Sequence, residues 1–147
     1  MPDPKFAEVQ VGDEIPILCT SPITRHTLAL YCGASGDHNP IHVDIDYAKE
    51  SGLDDVIAHG MLSMAYLGRL LTNWVSQSSI RELKTRFTAM TLIGDQVTCR
   101  GKIIEKFYES GKTGSDLNSL QKLRESSLLP ERPSSPLIEP WPVPWPS

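Results

Sequence analysis

Ala34-Ser35-Gly36-Asp37-His38-Asn39-Pro40-Ile41-His42-Val43-Asp44 is the stretch on which the reading of this chain turns. Pro40 fixes its own φ and pushes Asn39 out of the helical region, so the segment reads as a shaped loop. The loop carries a carboxylate, Asp37, and an imidazole, His42, on either side of an Asn-Pro turn. A turn of that kind can bring the two side chains to one water molecule. Asp, Gly, Asn and Pro are also the ordinary material of surface turns, and spacing alone does not separate the two readings.

An answering segment, Ile57-Ala58-His59-Gly60-Met61-Leu62, opens an apolar helix. From His59 onward Met61, Met64, Ala65, Gly68, Leu71 and Val75 recur at three and four, which predicts a helix with one deeply buried face and small residues where a sheet approaches. Upstream, a Val11-Gly12-Asp13 turn leads into a strand over 14–20, which Pro16 confines to a sheet edge or end. Thr24 is placed to cap a helix beginning at Arg25, with Ile23 stapling against Leu28 and Gly33 ending it. After the loop, Asp44 or Asp46 caps a short helix through Tyr47 and Glu50 that Gly52 closes. Two strands follow by alternation: 82–90 with Leu83, Thr85, Phe87 and Ala89 on one face, and 96–107 with Val97, Cys99, Gly101 and Ile103 on one face. A long helix followed by long antiparallel strands predicts the α+β class.

The two linked motifs, Ser35 through Asp44 and then Ile57 through Leu62, resemble the signature of the MaoC-like dehydratases, the (R)-specific enoyl-thioester hydratases. The resemblance covers about residues 6–107, is dense over 31–71, and is nearest to the small single-domain 3-hydroxyacyl-thioester dehydratase subunits of actinobacterial fatty-acid elongation. It implies a hot-dog fold, in which a curled antiparallel sheet wraps the helix that begins near Gly60. It also implies reversible hydration of 2-enoyl thioesters to (R)-3-hydroxyacyl thioesters, carried on CoA or an acyl carrier protein. Asp37 and His42 take the family's catalytic pair. Gly60 takes the oxyanion site, because the first N–H of a helix is unpaired and lies at the positive end of the dipole. His59 falls to oxyanion or substrate binding, or to orienting the loop. Ser35, Gly36, Asn39, Pro40 and Asp44 shape the loop. Some relatives carry a serine at the position of Gly68, which this chain lacks. The implied partner is an identical copy or a related hot-dog subunit.

Composition narrows the classes. At 147 residues the chain is read as one domain, and 39% hydrophobic with 22% charged content is that of a globular protein. A net charge of -4 offers no basic stripe for nucleic acid. No apolar run approaches the roughly 18 to 20 residues of a bilayer span, and the first residues lack a signal peptide's charged and apolar regions, so a cytoplasmic protein without membrane insertion is expected. Cys19, Cys32 and Cys99 form no CxxC pair and read as reduced core residues. His42, Asp44 and His59 are of metal-ligating type, but the chemistry runs without a Lewis acid, so neither metal nor cofactor is expected. Arg81, Lys84, Arg86, Arg100 and Lys102 are candidates for the phosphates of a CoA or carrier arm, or simply solvated strand residues.

Composition changes abruptly near Lys112. Residues 113–147 hold seven of the twelve prolines, with Pro133-Ser134-Ser135-Pro136 and a Pro-Trp alternation at the end. Such residues cannot donate ladder hydrogen bonds, and 115–129 shows at most a loose amphipathic helix. The division expected is a hot-dog domain over 1–112, missing its last two strands, and a disordered Ser/Pro-rich tail over 113–147, as from a shifted reading frame or an alternative C-terminus. That leaves two further readings: a truncated hydratase-like chain that acts only as a binding partner, and an acyl thioesterase on the same fold.

Overall fold

The structure, a computed structural model, describes residue 4 and residues 7–108, 119–122 and 126–131. In chain order these form β1 (Glu14–Cys19), α1 (Arg25–Ser35), a 3-10 turn (Pro40–His42), α2 (Ile45–Glu50), α3 (Gly60–Trp74), a second 3-10 turn (Gln77–Ser79), β2 (Gln96–Lys102), β3 (Glu105–Tyr108), β4 (Ser119–Lys122) and β5 (Ser126–Glu131). β2 lies between β1 and β5 in a three-stranded sheet, and β3 pairs with β4; every pairing is antiparallel. α3 packs on β1, β2 and β5.

Local chemistry accounts for the element boundaries. Thr24 accepts from the Thr27 N–H and starts α1, while Ile23 and Leu28 on either side of that cap are both buried. Asp44 accepts from the Asp46 and Tyr47 N–H groups and starts α2. β1 shifts register against β2 between Ile15 and Leu18, around Pro16, which has no N–H to give the ladder. The core joins Ile15, Ile23 and Leu28 to Val56, Leu62, Leu67, Leu70, Leu71, Val97 and Cys99. At ~1.5 to 3 kcal/mol for each buried side chain, the α3 leucines anchor the helix to the sheet.

The buried face of α3 matches the expected one only at Leu71. Leu62, Ser63, Leu67, Leu70 and Leu71 face inward, whereas Met61 is 51% exposed and Ala65 is exposed. The helix is apolar around most of its circumference, so periodicity fits two stripes, and the bulkier leucine stripe takes the sheet. Gly68 of the expected stripe meets the segment expected to be the strand over 82–90. That segment enters no ladder among the described residues; it runs along α3, with a Leu83 methyl 3.9 Å and the Phe87 ring 3.5 Å from where a Cβ would stand on Gly68 and on Gly60. Alternation identifies an extended backbone but does not supply a pairing partner.

The strand expected over 96–107 is present but broken at Ile103 and Ile104 into β2 and β3. The larger correction is C-terminal. Two strands, β4 and β5, stand in the region expected to have none, and β5 runs beside β2 from Gln96↔Glu131 to Gly101↔Ser126. Pro130 hides β5 from pattern reading, yet among the described residues β5 ends the sheet, where a missing donor is tolerated. The helix expected over 115–129 is thereby replaced where residues are described; the remainder of the expected tail lies outside them. Cys19 is also at the surface, whereas Cys99 is fully buried and its thiol is pushed up to about 11 by burial, then by Cys19.

Gly101 stands directly across from Ile15, and a Cβ there would fall 2.8 Å from the Ile15 Cδ1. Since Ile15 is itself in the core, Gly101→Ala is expected to lower stability by about 1 to 3 kcal/mol despite alanine's better backbone entropy. A urea midpoint that falls with unchanged slope would bear this out. An unchanged midpoint would mean that β1 and β2 are farther apart there.

Candidate active site

α1 ends one residue before Gly36, whose φ of 73° is the left-handed cap, with its N–H on the Cys32 carbonyl. Gly33, expected to be the stop, stays inside the helix because its backbone is still helical. From Gly36 the chain folds on its own side chains. The Asp37 N–H donates to Ser35 Oγ at 3.2 Å, the Asn39 N–H to Asp37 Oδ1 at 3.3 Å, and the Ile41 N–H to Asn39 Oδ1 at 3.1 Å. Pro40 begins the 3-10 turn that presents His42, and the Asp44 N–H closes back on the Pro40 carbonyl at 2.8 Å. Asp44 is occupied by capping α2.

The second motif is fixed against the first. The Ile57 N–H donates to the Ile41 carbonyl at 3.3 Å, and the Ala58 N–H to the Thr91 carbonyl at 2.9 Å. His59 is the residue before α3 but gives it no side-chain cap. Its ring turns instead toward the loop, where Nε2 meets the Asp37 backbone oxygen at 3.1 Å. His42 Nδ1 meets the Ile57 backbone oxygen at 2.8 Å. A carbonyl only accepts, so each bond assigns a proton: to Nδ1 of His42 and to Nε2 of His59. The two rings are stacked, centroids 3.8 Å apart and planes 26° apart, and Tyr31 meets His59 edge-on at 5.0 Å.

Asp37, His42 and His59 each offer a side-chain ligand atom, all within 4.8 Å of one another. Asp37 is exposed, His42 half-buried and His59 fully buried. Burial chiefly holds the His59 imidazole below its ordinary pKa; the Asp37 carbonyl opposes this and His42 adds to it. Burial and then the Asp37 carboxylate hold the Tyr31 phenol above its ordinary value. Metal-type residues thus cluster, but with Asp37 in the place expected for Asp44. Imidazole lone pairs lie in the ring plane, so two stacked rings 3.8 Å apart hold their lone pairs in separate, nearly parallel planes, which is a poor fit to one tetrahedral ion.

Gly60 is the first residue of α3, so its N–H has no acceptor within the helix. Sequence reasoning missed the Ile57 carbonyl that holds His42, Tyr31 against His59, the Phe87 ring against Gly60, and Ser63 of the same helix, buried and 3.4 Å from Thr91 Oγ1. A backbone acceptor leaves no trace in residue type, and alternation over 82–90 does not say which element Phe87 would face. Arg81, Lys84, Arg86, Arg100 and Lys102 are all exposed, and Lys84 pairs with Glu82 at 2.8 Å. A cavity of about 340 Å³ is bordered by Glu8, Asp13, Glu14 and Trp74, none of them part of the Asp37 cluster.

A family profile for the MaoC like domain matches residues 8–117. The chain belongs to this family. Its MaoC-like character extends to a full relative: the (R)-specific enoyl-CoA hydratase of Rhodospirillum rubrum is 31% identical over 120 residues, 74% of this chain and 78% of that one. A fatty acid synthase subunit beta of Saccharomyces cerevisiae is 35% identical over 88 residues, which are 58% of this chain but only 4% of the synthase subunit. Among solved structures, the unliganded R-hydratase PhaJ1 from Pseudomonas aeruginosa superposes with a TM-score of 0.61 at 33% identity, covering 69% of this chain and 66% of that one. The fold is the hot-dog fold, and the MaoC-like family is one of hydratases and dehydratases.

Proposed function

We propose that this chain hydrates 2-enoyl thioesters reversibly to (R)-3-hydroxyacyl thioesters, with Asp37 and His42 as the catalytic pair. The observation that carries the reading is the His42 Nδ1 bond to the Ile57 carbonyl. It leaves Nε2 of the neutral ring as a lone pair, in a cluster whose other members include the Asp37 carboxylate. A water shared by the pair loses a proton to it as the hydroxyl bonds to C3. The C2=C3 electron pair shifts toward the thioester oxygen, where the Gly60 N–H and the positive end of α3 meet the growing charge. The pair then returns one proton to C2, so it ends in the state in which it began. Which member gives and which takes belongs to the coupled pair rather than to either residue.

The reading of a non-catalytic binding partner rests on an incomplete sheet, and β5 beside β2 removes much of its support. The proposed substrate is an acyl thioester of CoA or a carrier protein. The proposed setting is the cytoplasm; among the described residues no helix is long and apolar enough to cross a membrane. A homodimer, or a heterodimer with a related hot-dog subunit, is the proposed assembly, supported by the half-exposed Met61, Phe87 and Met90 at 51%, 51% and 53%.

The test is the full chain with a short trans-2-enoyl-CoA, following the conjugated alkene and free thiol together. Alkene loss without thiol release is expected, whereas thiol release would make the chain a thioesterase. The rate is expected to be unchanged after exhaustive chelation, since no step above uses an ion. A rate that collapses with chelator and returns with zinc would overturn that mechanism.

A further inference from the structure

We infer that His59 is a positioning residue, which ties the Asp37 loop and the His42 ring to the N-terminus of α3. The inference rests on the catalytic pair proposed above and names what holds that pair in register with Gly60. His59 is 0% exposed and joins three elements: its Nε2–H donates to the Asp37 carbonyl, its face stacks on His42 from the 3-10 turn, and Tyr31 of α1 meets it edge-on. The next peptide is the one whose N–H the oxyanion site requires. A displacement of this one ring therefore moves both ends of the proton path relative to Gly60.

The other nitrogen shows that stability is not what selects histidine here. His59 Nδ1 is buried and meets no hydrogen-bond partner among the described residues. Such an atom costs free energy that an apolar ring of similar size would avoid. The groups facing the ring are Asp37 and His42 from the loop and Tyr31 from α1. Burial holds the Tyr31 phenol above its ordinary value, and a second proton on His59 would sit at Nδ1, which meets no acceptor among the described residues, against the stacked His42. Burial disfavours a second proton on His59, and the proton it has is held on the Asp37 carbonyl, so the ring serves as a fixed donor.

Two variants of the full chain separate its contacts. His59→Phe keeps a flat ring for stacking and removes the orphaned nitrogen but loses the donor to Asp37. His59→Gln keeps an amide donor and loses the ring. Expected for His59→Phe is a melting temperature at or above wild type with kcat at least about tenfold lower and KM within about threefold, because misplacement of reacting groups acts on kcat. Expected for His59→Gln is a similar loss of kcat with lower stability. A wild-type kcat in His59→Phe would overturn the inference.

Imidazole nitrogen NMR without substrate keeps the test independent of the hydratase reading. His42 is expected as one tautomer, protonated on Nδ1, in the wild-type chain and as a mixture in His59→Gln. A single unchanged His42 tautomer in both variants would overturn the positioning role whatever the activity. Failure of wild-type hydration together with the expected tautomer change would instead overturn only the reaction assigned to the site. Should neither variant fold, the wild-type tautomer decides: His59 is expected to carry its proton on Nε2, toward the Asp37 carbonyl, and a His59 protonated on Nδ1 instead overturns the inference.

Discussion

Asp37→Asn and His42→Gln are each expected to slow hydration of a short trans-2-enoyl-CoA by at least about a hundredfold, the lower end of what a positioned acid or base supplies. Asp37→Asn is the cleaner of the two. An asparagine oxygen can still accept from the Asn39 N–H, as Asp37 Oδ1 does at 3.3 Å, so the loop keeps its turn while the carboxylate's proton chemistry is lost. Asp37 is exposed, and its replacement is expected to leave the melting temperature nearly unchanged. His42→Gln removes the imidazole whose proton the Ile57 carbonyl fixes. Because both residues are proposed to serve one water, the double variant is expected to be little worse than the slower single one. Near-normal turnover in either variant would show that the pair is misassigned.

The oxyanion role proposed for Gly60 calls for a substitution that deletes a backbone N–H, and the first position of a helix is where proline allows this. Gly60 holds that position in α3, and His59 before it has φ -56° and ψ 131°, a conformation that the residue preceding proline accepts. A Cβ at Gly60 would meet the Phe87 ring at 3.5 to 3.6 Å, an ordinary contact. Gly60→Pro is therefore expected to fold with the helical content of wild type and to lose about 10² to 10³ in kcat, the usual effect of removing one oxyanion donor. Gly60→Ala, which keeps the N–H and adds only a methyl group, is expected to lose less. A proline variant of normal rate would place the oxyanion site elsewhere.

The parts of this structure that were legible in the sequence are those set by short-range chemistry. Thr24 and Asp44 announce their helices because hydroxyl and carboxylate oxygens satisfy N–H groups within three residues. Asn39-Pro40 announces the turn for the same kind of reason. Val97, Cys99 and Ile103 announce the inner face of β2 and its continuation. What was not legible depends on partners distant in sequence. α3 presents two apolar stripes, and only the sheet's position selects the one with Leu62, Leu67 and Leu70. The 82–90 segment alternates like a strand but lies along that helix. β5 contains a proline and becomes a strand because β2 offers it an open edge. Within the site, Asp37 and His42 could be named from the motif, yet the bonds that orient them come from the Ile57 carbonyl and from His59.

The central claim is stereospecific hydration by the Asp37 and His42 pair, and the most direct measurement is chiral analysis of the product that the full chain forms from trans-2-butenoyl-CoA in deuterated water. Expected is (R)-3-hydroxybutanoyl-CoA carrying one deuterium at C2, formed by the wild-type chain and not by the Asp37→Asn chain. An (S) product, release of free CoA with the alkene intact, or equal product from the Asp37→Asn chain would contradict it.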